Sequence, residues 1–414
     1  MGDSLGSSTA DRRVIRVMLL WSFGITIGLA IALLASRGTG RVVLLAQLGL
    51  FAGVLLAQTW LGHAGRPGNW LVSLGVLNLV VGGPELLLRI ADFRWEAGVQ
   101  FGFPSRTDFV RFAPHPQLFW TYASTRPGVN SWGLHDDEVV RPKPRGVFRI
   151  AFLGDSCTDL GDPGYPARVE HILNHRYGGR GVTFESVVLA VSGYSSHQGR
   201  VLAETYAPSV AADVAFVYYG WNDHWQAYGA VDADKVVQAD PRAQPRLVER
   251  LYETARVLQL GRWVIDRSTR TGRATPTDRV RVPPEHYRDN LTRIERAFRG
   301  AGAASVMITA PTSWYRLGVP DRYVVERYVP DKQTAADRHR AYNEIAREVA
   351  TGQGARLLDL EAELDTTTDL ATIMYQDGVH FSDAGLDHLA ARLVRFLEVQ
   401  KLLPTGAGPG WANP

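Results

Sequence analysis

Phe148-Arg149-Ile150-Ala151-Phe152-Leu153-Gly154-Asp155-Ser156-Cys157-Thr158 is the stretch on which the reading of this chain turns. Its apolar run predicts a buried strand, and Gly-Asp-Ser breaks that strand into a turn. Downstream, Pro163 to Tyr177 carries apolar residues at helical spacing. A serine at the carboxyl end of a strand, with a helix behind it, stands where open α/β sheets place their chemistry. Glycine, aspartate and serine are also ordinary turn residues, and a serine there caps a helix. The tripeptide alone assigns nothing.

Beyond Gly146, strand-like and helix-like patterns alternate, which predicts βαβ units around a parallel sheet. Strands are expected at Phe148–Leu153, Thr183–Leu189, Val214–Tyr219, Ser305–Thr309 and Arg356–Leu360. Helices are expected at Pro163–Tyr177, His197–Tyr206, Glu285–Arg299, Ala335–Ala350 and Asp383–Leu397. Trp225 to Val282 is too long for a simple connection and reads as an insertion, with Arg246–Ser268 helical inside it. Thr312 to Asp331 reads as a second long loop, of the kind that builds substrate pockets. No internal repeat is visible.

The N-terminal part of the chain has a different character. Residues 1–13 are small, polar and charged and read as a disordered cytoplasmic tail. Residues 14–94 read as a transmembrane region with apolar runs at about 17–35, 42–62 and 70–88. Each is close to the ~20 residues that cross the hydrocarbon core as a helix. Asn78, Pro84 and Glu85 interrupt the third run, for which a helix lying in the membrane interface is the alternative. Arg12, Arg13 and Arg16 favour a cytoplasmic N-terminus, with Arg37 and Arg41 opposing. Three spans from that start put the rest of the chain outside the cytoplasm, and two leave it inside. Residues 95–146 read as a lead-in segment, 147–400 as the globular domain, and 401–414 as a flexible tail.

Composition excludes several classes. The 414 residues hold 45 basic and 42 acidic side chains, a net charge of +3 without a basic stripe, so nucleic-acid binding has no support. One cysteine, Cys157, allows neither an intramolecular disulfide nor a thiolate metal site. His171, His175, His197, His224, His286 and His339 show no ligand spacing and read as surface or core residues. Nothing calls for a cofactor or metal.

A serine hydroxyl needs a base to take its proton, and the base needs an acid to orient it. Tyr375-Gln376-Asp377-Gly378-Val379-His380-Phe381-Ser382 stands just before the last helix. Asp377 and His380 can face each other across one turn, leaving the other ring nitrogen for Ser156. After the middle strand comes Tyr219-Gly220-Trp221-Asn222-Asp223-His224, where the Asn222 amide offers an uncharged oxyanion donor. After the second strand comes Ala190-Val191-Ser192-Gly193-Tyr194-Ser195-Ser196, where the Gly193 N–H is a second donor.

Taken together, these pieces resemble the SGNH (GDSL-type) hydrolase family. Its four blocks stand here as Gly154-Asp155-Ser156, Gly193, Gly220-Trp221-Asn222-Asp223 and Asp377-Gly378-Val379-His380, and the resemblance runs from Phe148 to about Leu397. It implies a three-layer α/β/α, flavodoxin-like fold around a five-stranded parallel sheet, and ester hydrolysis or acyl transfer. Carried over, Ser156 is the nucleophile, His380 the general base and Asp377 its partner. The Ser156 N–H, Gly193 N–H and Asn222 amide form the oxyanion hole. Val188 and Ala190 depart from the Asn and Gly that many relatives carry, which puts the local loop shape in question.

The expectation is a membrane-anchored serine esterase outside the cytoplasm, acting on O-acyl groups, acetyl above all, of a cell-envelope glycan. An O-acyltransferase, a lipid or small-ester hydrolase, and a non-catalytic glycan-binding scaffold are the rivals. Cys157 is expected to be a buried packing residue. The Trp and Tyr residues of 312–328 read as a lid, a sugar platform or plain packing, and Arg281 and Arg338 as solvated surface residues.

Overall fold

The computed structural model describes residues 82–91, 93, 112–178, 182–235, 255–268, 276–367 and 369–404. The expectations for the tail 1–13, for the apolar runs 17–35 and 42–62 and for most of 70–88 lie outside these residues. So do those for 246–254, the first part of the lead-in and most of the tail 401–414. Among the described residues no helix is long and apolar enough to cross a membrane. The chain forms two compact units, Met1–Ala97 with Gln244–Arg273, and Gly98–Ala243 with Ala274–Pro414.

In the first unit, α1 (Gly83–Ile90) packs with α5 (Arg256–Ser268), a helix of the insertion. The join is polar: Glu85, 1% exposed, accepts the Val257 N–H through Oε2 at 2.8 Å and pairs with Arg89. The glutamate serves as a side-chain acceptor for an N–H of the α5 first turn, which has no acceptor within its own helix.

The second unit is an α/β fold on five parallel strands: β3 (Val147–Gly154), β4 (Thr183–Ala190), β5 (Val214–Tyr218), β8 (Ala304–Ile308) and β9 (Arg356–Leu358). Their order across the sheet is β4-β3-β5-β8-β9, with every neighbouring pair parallel. The strands read as near-continuous apolar runs because both faces are covered. Ile150 and Phe152 of β3 face α3 (Tyr165–Tyr177) and α11 (Asp383–Val399), meeting Val169, Leu173, Leu389 and Leu393. Ala151 and Leu153 face the other way, toward α4 (Ser196–Val210), α6 (Pro284–Gly300) and α9 (Lys332–Gln353). Each Val, Leu, Ile or Phe fully buried in these layers stabilises the fold by about 1.5–3 kcal/mol.

The lead-in is a structural part of this unit from residue 112 onward. β1 (Phe112–His115) and β2 (Phe119–Tyr122) form an antiparallel hairpin whose Phe112, Trp120 and Tyr122 lie in the second core. The insertion starts and ends with a second small pair, β6 (Gln226–Tyr228) against β7 (Pro276–Val280). The loop expected at Thr312–Asp331 carries two short helices, α7 (Trp314–Leu317) and α8 (Asp321–Val325). The expected strand to Leu360 stops at Leu358, because Asp359 turns back to cap α10 (Leu360–Asp365) by accepting the Ala362 N–H.

Register explains why distant blocks meet. Gly154 pairs with Ala190 on one side and with Tyr218 on the other, so three neighbouring strands end at one level. The turns that follow carry Ser156, Gly193 and Asn222 onto the same edge. That edge lies at the β3/β5 switch point, where open α/β sheets leave a crevice.

Candidate active site

Ser156 opens the one-turn helix α2 (Ser156–Asp159), capped by Asp155, whose Oδ1 accepts the Cys157 N–H at 2.9 Å. Gly154 before it is required by space: a Cβ there would lie 2.0 Å from Thr158 Oγ1 and 3.1 Å from the Tyr218 carbonyl. Asp155 is buried, and its Oδ2 accepts a hydrogen bond from Asn222 Nδ2 at 2.9 Å. One carboxylate therefore both shapes the serine turn and aims the asparagine. Burial pushes this carboxyl up, against the Cys157 and Asn222 hydrogen bonds and the His380 imidazole.

Ser156 Oγ lies 2.8 Å from His380 Nε2, and His380 Nδ1 lies 2.8 Å from Asp377 Oδ2. Asp377 Oδ1 accepts the N–H groups of Val379, at 2.9 Å, and His380, at 3.0 Å. Burial works against ionisation of Asp377. The His380 side chain and the two N–H groups outweigh it and hold the carboxyl at about 2. The turn is braced from the β8 side: Trp314 Nε1 donates to the Asp377 carbonyl and Thr312 Oγ1 to the Gly378 carbonyl. Gly378, at φ +70°, leaves room for Trp314, which a Cβ would meet at 2.4 Å. Arg322 Nη2 approaches Asp377 Oδ2 at 3.4 Å from the solvent side.

Three N–H donors stand on the turns at this edge of the sheet. The Ser156 N–H is the first of its helix, where no intrahelical acceptor exists. Gly193 sits at φ +86°, and the Asn222 amide has one hydrogen beyond its bond to Asp155. Ser156, Gly193, Asn222, Asp377 and His380 are all partly exposed, whereas Asp155, Ser195, Ser196, Asp223 and Arg281 around them are buried. A reacting group must meet substrate, and its supports are better kept from water.

Asp223 ties two of the turns together: its Oδ1 accepts the Ser196 N–H and Oγ, and its Oδ2 the Gly220 N–H. Asp159 ties in the lead-in hairpin, accepting the Tyr122 hydroxyl together with the Ser192 N–H at 2.9 Å and Oγ at 2.7 Å. Asp155 and Asp223 were inside motif blocks but carried no assigned role, and Asp159 and Tyr122 gave no signal in the sequence.

The other candidates resolve into packing. Cys157 is 3% exposed, its Sγ against the Val379 carbonyl at 3.5 Å, and burial drives its thiol well up. Trp314 and Tyr323 are buried among Trp221, Trp225 and His339, so they form core and no exposed sugar platform. His224 and His339 are core residues bonded to each other at 3.0 Å. Arg281 is the correction: it is 1% exposed and ion-paired to buried Asp232 at 2.8 Å, so it is no solvated surface arginine. Arg338 is half-buried. Among the described residues no group of three His, Cys, Asp or Glu side chains is placed to hold a metal.

Residues 152–387 match the model of the GDSL-like lipase/acylhydrolase family. The chain belongs to that family. It is therefore a serine hydrolase of the esterase class, as its motif blocks imply. Among solved structures, a lipase/acylhydrolase from Enterococcus faecalis is 15% identical, covers 61% of this chain and 96% of its own, and has a TM-score of 0.40. A catalytic mutant of an acetylxylan esterase from Geobacillus stearothermophilus is 17% identical over 60% of this chain and 93% of its own, with a TM-score of 0.35. An acetyl xylan esterase is 15% identical over 60% of this chain and all of its own, with a TM-score of 0.38. These likenesses are too distant to bear on substrate. No curated protein matches.

Proposed function

We propose that this family member cleaves acyl esters with Ser156 as nucleophile, His380 as general base and Asp377 as the acid that orients it. The observation that carries the reading is the unbroken chain Ser156 Oγ–His380 Nε2 and His380 Nδ1–Asp377 Oδ2, each link 2.8 Å. His380 Nε2 takes the Ser156 proton as Oγ attacks the acyl carbonyl. Asp377 accepts the Nδ1 hydrogen, fixes the tautomer and stabilises the imidazolium that forms. The Ser156 and Gly193 N–H groups and the Asn222 amide meet the oxygen as charge develops on it. His380 then protonates the leaving alcohol, and water repeats the cycle on the acyl-enzyme.

The proposed substrate is an O-acyl group, chiefly acetyl, on a cell-envelope glycan, with the enzyme anchored in the membrane and its site outside the cytoplasm. The apolar runs at 17–35, 42–62 and 70–88, ahead of an esterase domain, support the anchoring. Turnover of full-length protein in detergent on acetylated glycans, against short- and long-chain esters, tests the substrate. Preference for acetyl glycan supports it, and preference for long acyl chains favours lipid hydrolysis instead.

A further inference from the structure

Arg281 lies after β7, outside every motif block, yet it reaches the oxyanion turn. Its Nη1 donates to the Gly193 carbonyl at 2.9 Å, and its Nη2 to Asp232 Oδ2 at 2.8 Å. Asp232 is itself buried and accepts the Ser195 hydroxyl at 2.7 Å and Lys235 Nζ at 2.5 Å. The backbone closes the same unit, because the Asp232 N–H donates to the Arg281 carbonyl at 2.8 Å.

Packing alone does not call for such a pair. A buried ion pair commonly contributes no more to stability than apolar side chains of the same volume. What it supplies that leucine or methionine cannot is a charged donor fixed in direction, here onto one peptide carbonyl.

The hydrogen bonds of the turn show what that direction is for. Ser192 N–H goes to Asp159, Tyr194 N–H to the Val191 carbonyl, Ser195 N–H to Gln198 and Ser196 N–H to Asp223. Among the described residues the Gly193 N–H between them meets no acceptor, which leaves it for a substrate oxygen. Gly193, at φ +86°, has no side chain to restrict its rotation. Asp159 holds the Val191–Ser192 peptide and the Ser192 hydroxyl on one side, and Arg281 holds the Gly193–Tyr194 peptide on the other, so the Ser192–Gly193 peptide that carries the N–H lies between two fixed neighbours.

We propose that Arg281, held by Asp232, is a positioning residue that locks the Gly193 turn so that its N–H stays aimed at the developing oxyanion. The proposal rests on the reading of Gly193 as an oxyanion donor. Arg281 touches no substrate. Its effect belongs to the transition state, where the oxygen is charged, and little of it to substrate binding.

The test uses full-length protein and a small acetate ester, with Arg281→Lys and the paired change Arg281→Met with Asp232→Asn. The lysine keeps the charge opposite Asp232 but loses the planar fork and the length that reach both acceptors. The paired change removes the buried guanidinium together with its carboxylate, leaving only the part-exposed Lys235 without that partner. Both are expected to lower kcat about 10- to 100-fold, short of the ~10²–10³ for losing an oxyanion donor outright, with KM within about 3-fold of the parent. Inhibition by a trifluoromethyl ketone analogue of the ester should weaken in the same proportion as kcat. Folded Arg281→Lys with parental kcat and analogue affinity overturns the proposal, whatever happens to its melting temperature, and decides alone should the paired variant not fold. Labelling of the parent by a small fluorophosphonate, lost in Ser156→Ala, separates the two levels. A parent that does not label removes the esterase mechanism and this proposal with it. A parent that labels, beside Arg281 variants that label at the parental rate, removes this proposal only.

Discussion

A hydroxyl attacks a carbonyl only where its proton has somewhere to go, and at Ser156 that place is His380 Nε2, 2.8 Å away. Ser156→Ala is expected to remove turnover by about 10⁶-fold, the scale for a triad serine in a well-studied protease. Asn222→Ala is expected to cost roughly 10²–10³, as one donor among three. Asp377→Asn should lower kcat by up to ~10⁴, because an amide can leave His380 in the wrong tautomer. Steady-state kinetics on one small ester checks all three. Cys157→Ala should leave kcat unchanged, and the buried thiol should resist iodoacetamide until the protein is unfolded. Rapid alkylation of the native enzyme with loss of activity would contradict that assignment. The residues of this constellation were legible because their chemistry restricts residue type and position, with Ser156, Gly193 and Asn222 following strand ends and Asp377 and His380 standing just before the last helix. Asp159, Asp232 and Arg281 were not. Asp159 and Arg281 act through hydrogen bonds to backbone atoms, and Asp232 through the Arg281 side chain, and any of several residue types at any position can make such bonds.

At the scale of elements, the strands were legible because a sheet covered on both faces turns each one into an apolar run. Strand ends were less so: β9 ends at Leu358, since Asp359 bonds Ala362 in place of the ladder. Helix α4 shows a constraint the pattern hides. A Cβ on Gly199 would lie 2.4–2.6 Å from the Tyr219 ring, so Gly199→Ala should destabilise by about 1–3 kcal/mol through overpacking, despite alanine's helix propensity. Urea unfolding measures it.

The carboxylates that pin these elements set a pH dependence. Burial raises Asp136, which accepts the Val188 N–H of the edge strand β4, from 3.8 to about 7, and Asp223 likewise. The folded protein holds protons there that the unfolded chain releases. This contribution to stability is complete below about pH 4 and lost as pH rises through about 7. Asp377, held at about 2, works in the opposite sense and only below pH 4, its contribution fading as pH falls through 2. The urea midpoint should therefore decline between pH 4 and 7, and Asp136→Asn should flatten that decline. An identical slope in the variant would refute the assignment.

At the scale of the whole molecule, the sequence divides into an apolar N-terminal region and a longer α/β part, but the structure shows the insertion dividing too. Its ends, β6 and β7, belong to the sheet-bearing unit, whereas Gln244–Arg273 belongs with Met1–Ala97. Periodicity along one segment does not show which distant segment it will pack against. The anchoring reading makes a prediction at this scale: an alkaline phosphatase reporter fused after Pro414 should be active and a fluorescent protein fused there dark in a bacterial host. The reverse pair of results would mean that an even number of apolar runs crosses, or that the orientation is inverted.

The central claim is that Ser156 is the nucleophile. Peptide mapping by mass spectrometry of the full-length enzyme, after inactivation with a small fluorophosphonate, tests it most directly. One adduct per chain is expected, on the peptide carrying Gly154-Asp155-Ser156-Cys157 and localised to Ser156 Oγ, appearing in step with loss of ester turnover. An adduct on another residue that tracks the loss of activity, or full turnover by enzyme quantitatively modified at Ser156, would contradict it.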